Sequence, residues 1–528
     1  MNSSNVLLAL LNTTAFLLCV GFLVYILCIL RPFLRRRDAV PGQQQGHTFH
    51  FVVPCLNEEQ VIGATVRHLV SSFPAATLWI VDDGSTDSTP AVLAELAAAH
   101  PAVHVLTRTL PDARKGKGAA LNAAWRAIDA ATPADVDRDT VIVGVLDADA
   151  RLERICPDVI CGREYFADPA VVAVQVQVRI TSDVDALVTN DLGTLAARSG
   201  RRRQDPILVQ LQDLEFVGPI AAMQTLRRRT GSAGMGGNGQ FTRLSGLNRI
   251  ALEYGTPWHG ALLEDFELGL HVLLSGGRTE YCDETFVAQA GLETVRPLIR
   301  QRSRWSQGGM QCMQYLLPVL RSPIVPLPGA LEIAYYLFLP WTQLLGSIVF
   351  PVALVLDCYY AFGTDGGVSA WWRAGAWGIA PLAVLFGALP YLVWGPLYRL
   401  RSGGTVTWRR SVLLSVANIG YGYLLQAAVW WAFIRLVRRR TDWKKTAHPG
   451  TTAAPPSAAV PAAPRPVPAP APHPAAPLPA APLPAAPLPA VPDDATAVRL
   501  LLRTSLPPVP APRPRPGTTA LLTRGPQS

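Results

Sequence analysis

Residues 78–99 read LWIVDDGSTDSTPAVLAELAAA. The opening Leu-Trp-Ile-Val is too short for a helix and too apolar for a loop, and it reads as a buried strand. The polar cluster Asp82-Asp83-Gly84-Ser85-Thr86-Asp87 ends it. Residues 90–99 follow, rich in Ala and Leu, the strongest helix formers, with Pro90 at the start where a helix tolerates it. One strand–loop–helix unit is therefore legible here, and it repeats outward. Residues 49–54 and 141–146 are further buried strands, and residues 61–71 and 119–130 further helices. This β-α-β-α-β order predicts an α/β fold with a doubly wound, mostly parallel, Rossmann-like sheet. Ligands of such sheets sit at the carboxyl ends of the strands. The polar clusters after the strands are therefore the candidate site.

The flanks have a different character. The chain has 528 residues, 49% hydrophobic and 16% charged, where soluble domains carry about 25% charged residues. Residues 6–30 are apolar and uncharged, long enough to span a bilayer. No basic residue precedes them, and Arg31 and Arg35 to Arg37 follow. That pattern predicts an uncleaved anchor over residues 1–37, with the N-terminus outside and the basic end cytoplasmic. Residues 331–357, 376–397 and 411–436 are candidate spans too. Four spans would place the basic cluster at residues 438–445 outside, against the positive-inside rule. One later segment is therefore expected to lie in the interface or re-enter. Residues 303–320 are amphipathic and suit the membrane surface. Polar and aromatic residues in the later spans, Tyr335, Tyr336, Trp341, Gln343, Asn418, Tyr421, Tyr423, Gln426 and Trp430, suit a polar path, interfacial anchors or interhelical hydrogen bonds. Residues 447–528 are Pro/Ala-rich and cannot bury a core, so a solvated tail is expected.

The formal net charge is +9. Arg31 with Arg35 to Arg37, the cluster at 438–445 and the tail from Pro449 on contribute +4 each, which leaves about −3 for the rest. The basic excess flanks apolar segments, so no nucleic-acid surface is expected. Eight cysteines without a C-x-x-C pair argue against a disulfide or zinc scaffold.

The carboxylates after the strands carry the chemistry. Leu146-Asp147-Ala148-Asp149 follows the third strand. Such an Asp-x-Asp holds a hard divalent cation, Mg²⁺ or Mn²⁺, that bridges to phosphate oxygens, or simply forms a surface turn. Residues 113–122, ARKGKGAALN, put Lys117 at a helix start, where charge and backbone N–H groups meet a diphosphate. The Walker A spacing is absent. Glu264-Asp265 lies among apolar residues, which suits either a general base in a dry cleft or a helix start that favours negative charge. Gln301-Arg302-Ser303-Arg304-Trp305 brings amide, guanidinium and indole together. These suit phosphate and a sugar ring, or a basic helix over lipid headgroups.

In this order the set resembles the membrane-embedded family 2 inverting glycosyltransferases: cellulose, chitin, hyaluronan and poly-N-acetylglucosamine synthases and relatives. Pro54-Cys55-Leu56-Asn57-Glu58-Glu59 looks like that family's opening motif. Asp82 and Asp83 match its nucleotide-contacting carboxylates, and Lys117 and Asn122 its G-K-x-x-A-L-N segment. Asp147 and Asp149 match its metal-binding D-x-D, and residues 236–243, GGNGQFTR, its glycine-rich segment near the acceptor. Glu264-Asp265 matches its E-D pair, whose Asp is the base, and Gln301, Arg302, Arg304 and Trp305 its Q-x-x-R-W motif. Trp443-Lys444-Lys445-Thr446 resembles the stretch after its last span. Leu263 stands where Thr commonly precedes the E-D pair.

The resemblance implies a GT-A domain over residues 48–310, on the cytoplasmic face of the cell membrane, followed over 311–446 by an interface helix and further spans. Its donor would be a UDP- or GDP-sugar, held by Pro54, Asn57, Glu58, Asp82, Asp83, Lys117 and Asp147. Asp147 and Asp149 would hold Mg²⁺ or Mn²⁺. Asp265, with Glu264, would be catalytic, while Arg302 and Arg304 steady phosphate charge and Gln301 and Trp305 meet the acceptor. The expected product is a growing cell-surface polysaccharide, with a homo-oligomer or export partner conceivable. The alternative is a single sugar added to a lipid carrier or glycolipid.

Overall fold

The computed structural model describes residues 3–35, 41–44, 46–185, 205–362, 367–373, 383–402 and 406–440. Residues 36–37, the Trp443–Thr446 stretch and the Pro/Ala-rich tail lie outside them. The elements run in order as follows: α1 (Ser3–Phe33), β1 (Thr48–Cys55), α2 (Ile62–Ser72), β2 (Thr77–Asp82), α3 (Thr89–Ala99), β3 (Val103–Thr107), α4 (Lys117–Ala131), β4 (Val141–Val145), β5 (Arg151–Leu152), α5 (Cys156–Ile160), β6 (Val171–Thr181), α6 (Ile207–Glu215), α7 (Ala221–Thr230), β7 (Gln240–Arg243), α8 (Leu244–Tyr254), α9 (Glu264–Leu274), β8 (Arg278–Ala290), α10 (Val295–Gln311), α11 (Leu316–Arg321), α12 (Leu327–Phe362), α13 (Gly367–Arg373), α14 (Leu389–Leu392), α15 (Trp394–Arg401) and α16 (Trp408–Val437).

The eight strands form one sheet in the order β3-β2-β1-β4-β7-β6-β8-β5. Successive side chains of a strand point to opposite faces, and β1 shows why its run is apolar throughout. Phe51 and Val53 pack under α2 and α3 with Ile62, Leu69 and Leu93, while Val52 packs with Leu121, Ala124 and Ile128 of α4 on the other face. The first four strands, β3 to β4 in sheet order, pair in parallel. Beyond them the sheet is mixed, because β7 runs antiparallel to both β4 and β6. This is the mostly parallel α/β sheet that the strand–helix alternation predicts, in the GT-A arrangement that the family resemblance implies. The order reverses at β1/β4, the place where α/β sheets bind ligands. The antiparallel β7 adds a consequence: the glycine-rich loop just before Gln240 arrives at the carboxyl end of β4, since Gln240 pairs with Val145.

Among the described residues three helices are long and apolar enough to cross a membrane: Ala9–Phe33, Leu327–Leu356 and Trp408–Val437. Residues 376–397, expected as a span, are described only from 383 onward, and there they are a broken helix: a π-turn at Ala383–Ala388, then α14 and α15. Three polar residues of these helices make interhelical bonds. Asn418 donates to the Tyr391 carbonyl at 3.1 Å, Gln426 to the Gln343 carbonyl at 3.0 Å, and the Trp430 indole to Ser347 Oγ at 2.9 Å.

Candidate active site

A cavity of about 520 Å³ opens over the carboxyl ends of β1, β2 and β4. Pro54, Glu58, Asp83, Lys117, Asp147, Asp149, Glu264, Asp265, Gln301, Arg302, Arg304 and Trp305 all line it. Among these twelve, residues as far apart in the sequence as Pro54 and Trp305 thus face one space. Asn57 and Asp82 are not among the lining residues; they shape the loops beside it. Asn57 Oδ1 accepts from the Thr86 N–H at 2.8 Å, and its own N–H donates to Ser85 Oγ at 2.9 Å. Asp82 Oδ1 accepts from the Ser85 N–H at 3.0 Å. Asp83 pairs with Arg108, yet burial still pushes its carboxyl above the usual range.

Lys117, the first residue of α4, stands at the centre. Its ammonium donates to Asp147 Oδ1 at 2.6 Å and to the Gly237 carbonyl at 2.7 Å. Burial disfavours its charge, but Asp147 and Glu264 more than offset this, and its pKa is raised. Gly237 is small for a reason: a Cβ there would lie 3.0 Å from Lys117 Nζ and 3.1 Å from Asp265 Oδ2.

Glu264 and Asp265 open α9, and Asp265 Oδ1 accepts from the Phe266 N–H at 2.7 Å. Burial, with the neighbouring Asp265 charge, pushes Glu264 up to about 7. Burial raises Asp265 as well, against the pull of Lys117. A carboxylate whose proton affinity is raised by burial suits proton abstraction. The pair is held by α10: a Cβ on Gly308 would meet Leu263 N at 2.5 Å, so the helix packs directly on the turn, and Gln311 Oε1 accepts from the Leu262 N–H at 2.9 Å.

The cavity fits a divalent cation. Asp147 and Asp149 offer hard carboxylate oxygens, and Asp149 Oδ2 is oriented by the Ala290 N–H at 3.2 Å. Among the described residues no three His, Cys, Asp or Glu converge on one point. Two carboxylates completed by phosphate oxygens and water suit Mg²⁺ or Mn²⁺, and not a closed zinc site. Seven carboxylates, Glu58, Asp83, Asp147, Asp149, Glu215, Glu264 and Asp265, against Lys117, Arg227, Arg302 and Arg304 also leave the cavity short of positive charge for a diphosphate.

Arg302 is used differently from the sequence expectation. It is buried; its Nη2 donates to Glu215 Oε2 at 2.7 Å and its Nη1 to Gln301 Oε1 at 2.6 Å. Its guanidinium lies 3.9 Å from the centroid of Trp305. Its charge is thus engaged by Glu215 and stacked on the indole, and both Arg302 and Arg304 line the cavity. Sequence reasoning missed Glu215, which no motif marks. It also missed the buried pair Arg227–Glu332, in which Nε meets Oε2 at 2.7 Å. Glu332 had a signal: it is the lone carboxylate in the first turns of an apolar helix. The cavity continues past Asp265 to Tyr336, Leu339, Pro340 and Gln343 of α12 and to Leu425 and Val429 of α16.

Residues 47–308 match the family described as "Glycosyltransferase like family 2". The chain carries a family 2 glycosyltransferase domain. It is similar to the beta-monoglucosyldiacylglycerol synthase of Synechocystis sp., 29% identical over 419 residues, 76% of this chain and 75% of that protein. The enzyme of the same name from Nostoc sp. is 30% identical over 272 residues, and the chain spans about half (48%) of its length. The poly-beta-1,6-N-acetyl-D-glucosamine synthase of Staphylococcus epidermidis is 24% identical over 296 residues, 56% of this chain and 62% of that one. Among solved structures, the mannosyltransferase PcManGT from Pyrobaculum calidifontis in complex with GDP-Man and Mn²⁺ is 18% identical, covers 81% of this chain and 99% of its own, and has a TM-score of 0.48.

Proposed function

We propose that this glycosyltransferase moves a single sugar from a nucleotide-sugar, UDP- or GDP-linked, to the hydroxyl of a membrane lipid of the diacylglycerol type. The observation that carries this reading is the mixed lining of the cavity. Part of it is polar, with Lys117, Asp147 and Asp149. Another part comes from the apolar helices α12 and α16, with Leu339, Pro340, Leu425 and Val429. A lipid acceptor has both characters, a hydroxyl for Asp265 and acyl chains for the helices. The similarity to monoglucosyldiacylglycerol synthases supports it, and it is favoured over the chain-building reading that the Q-x-x-R-W motif suggested. The three long apolar helices support a membrane location, with the domain on the cytoplasmic face where nucleotide-sugars are found.

The chemistry is one displacement. Asp265 takes the proton of the acceptor hydroxyl as its oxygen bonds the anomeric carbon. The bond from that carbon to the phosphate oxygen breaks, and the nucleoside diphosphate leaves with the electron pair. One displacement inverts the anomeric centre. Lys117 and Arg304 steady the diphosphate, and Trp305, fixed by Arg302, offers its face to a sugar ring. A divalent cation on Asp147 and Asp149 would neutralise charge on the leaving group. Purified protein in vesicles, given a panel of UDP- and GDP-sugars with and without diacylglycerol, tests this. Lipid-dependent release of nucleotide is expected, and release indifferent to the lipid would refute it.

A further inference from the structure

Helix α16 is apolar and 30 residues long, enough by composition to cross a membrane. Its bonds describe another placement. Near its start, Arg410 donates to Gln210 Oε1 at 2.7 Å and to the Asp205 carbonyl at 3.3 Å. In its middle, the Tyr421 hydroxyl donates to Glu215 Oε2 at 2.6 Å. Near its end, Arg435 donates to Gln307 Oε1 at 2.9 Å, and Gln307 Nε2 donates to the Arg440 carbonyl at 2.7 Å. Asp205, Gln210, Glu215 and Gln307 all belong to the glycosyltransferase domain. Along the axis, Arg410 and Arg435 stand roughly 37 Å apart at the α-helical rise, and a bilayer's hydrocarbon core is about 30 Å thick. A helix crossing that core carries its ends to opposite faces, and a polar domain reaches only one of them. Here one domain bonds both ends and the middle.

Two further observations agree. Leu425 and Val429, in the second half of α16, line the same cavity as Asp147 and Asp265. Carboxylates and a diphosphate at that level would be prohibitively costly at a bilayer centre. Basic residues also stand at both ends, Arg409 and Arg410 at the start and Arg435 with Arg438 to Arg440 at the finish. The positive-inside preference places both ends on one side. Between them, Ser411, Leu414, Asn418, Tyr421, Ala428 and Ala432 face the protein, while Val412, Val416, Tyr423 and Trp431 form an exposed apolar stripe at helical spacing.

We propose that α16 lies flat in the headgroup–acyl boundary of the leaflet that faces the catalytic domain, its Val412–Val416–Tyr423–Trp431 stripe turned into the lipid. With α12 it lines the cavity, through Leu425 and Val429 beside Leu339 and Pro340, so that a lipid acceptor enters from that leaflet. This rests on the membrane reading above. It also removes the parity conflict. Phe386, Tyr391 and Trp394 pack against Phe16, Phe22 and Phe33, with ring centroids 6.3, 6.0 and 6.1 Å apart. Residues 383–394 thus run beside α1 back toward the domain. With α1 and α12 crossing, this leg returning and α16 flat, Arg438 to Arg440 stay on the domain's side.

Depth-resolved quenching tests the placement. Tyr423→Cys and Val355→Cys, at exposed positions in the middle of α16 and in α12 beyond its bonds to α16 at Gln343 and Ser347, are made separately in the full chain with Cys19, Cys28 and Cys358 replaced by Ala. Each is labelled with a small fluorophore and reconstituted in phosphatidylcholine–phosphatidylglycerol vesicles. Spin-labelled lipids then quench from near the headgroup or near the end of the acyl chain. The label at 355 should be quenched more by the deep lipid and the label at 423 more by the shallow one. Deep quenching at both positions overturns the flat placement, as does quenching at 423 by aqueous iodide alone. If neither lipid quenches the label at 355, the membrane reading itself fails, and this proposal with it.

Discussion

Asp265→Asn separates the base from the rest of the site. The substitution keeps shape: the remaining oxygen can still accept from the Phe266 N–H that Asp265 meets at 2.7 Å. What changes is charge and proton affinity. Lys117 Nζ and Asp265 Oδ2 lie 3.0 and 3.1 Å from the point a Cβ on Gly237 would occupy, so they are no more than about 6 Å apart. At an effective dielectric constant of about 20, a pair at that distance attracts by roughly 3 kcal/mol. The variant releases that attraction and leaves Lys117 freer to meet an anionic donor. Donor affinity should therefore hold or improve. Turnover should fall by about 10²–10⁴, the usual worth of a positioned base, equivalent to roughly 3–5 kcal/mol in the barrier. Transfer from a radiolabelled nucleotide-sugar gives kcat, and equilibrium binding of the unhydrolysed donor gives Kd. Glu264→Gln is the comparison and should lose less. Retention by Asp265→Asn of more than about a tenth of kcat, or a loss of donor binding in step with turnover, would refute the reasoning.

Other outcomes follow from the same geometry. Because burial raises Asp265 above the usual carboxylate range, and the base acts unprotonated, turnover should decline as pH falls through that raised range and level off above it. Lys117 holds both carboxylates down, so Lys117→Met should move that acid limb to higher pH, and an unmoved limb in the pH–rate profile would contradict its placement. Arg302→Lys loses both the guanidinium fork and the stack on Trp305; acceptor KM should rise with donor Kd little changed, whereas a weakened donor would mean that Arg302 binds phosphate. Glu332→Ala strands the Arg227 charge, 3% exposed in its side chain, and should cost about 3–5 kcal/mol of stability. The double variant Arg227→Met/Glu332→Leu should melt higher in detergent than that single variant, and a lower melting point would contradict the burial argument.

The first half of the domain was legible because β1, β2 and β4 are buried on both faces and read as unbroken apolar runs. β6 and β8 were not, since Gln175, Arg179, Glu280 and Glu284 interrupt them. Those residues are satisfied by contacts far away in sequence, such as Arg179 with Asp213 at 2.9 Å. The acidic clusters were legible as chemistry because they follow strands. The partner of Arg302 was not, because Glu215 lies 87 positions earlier in a helix with no motif. Hydropathy likewise marks α16 as a span because it counts composition alone. The bonds at Arg410, Tyr421 and Arg435 appear only once the chain is folded.

The identity of the acceptor decides the function. Purified protein in vesicles that contain diacylglycerol, supplied with labelled nucleotide-sugar and Mg²⁺ or Mn²⁺, should yield a lipid carrying one sugar, identified by the mass of the extracted product. A polysaccharide that lengthens with time, or sugar released to water with the lipid unchanged, would contradict it.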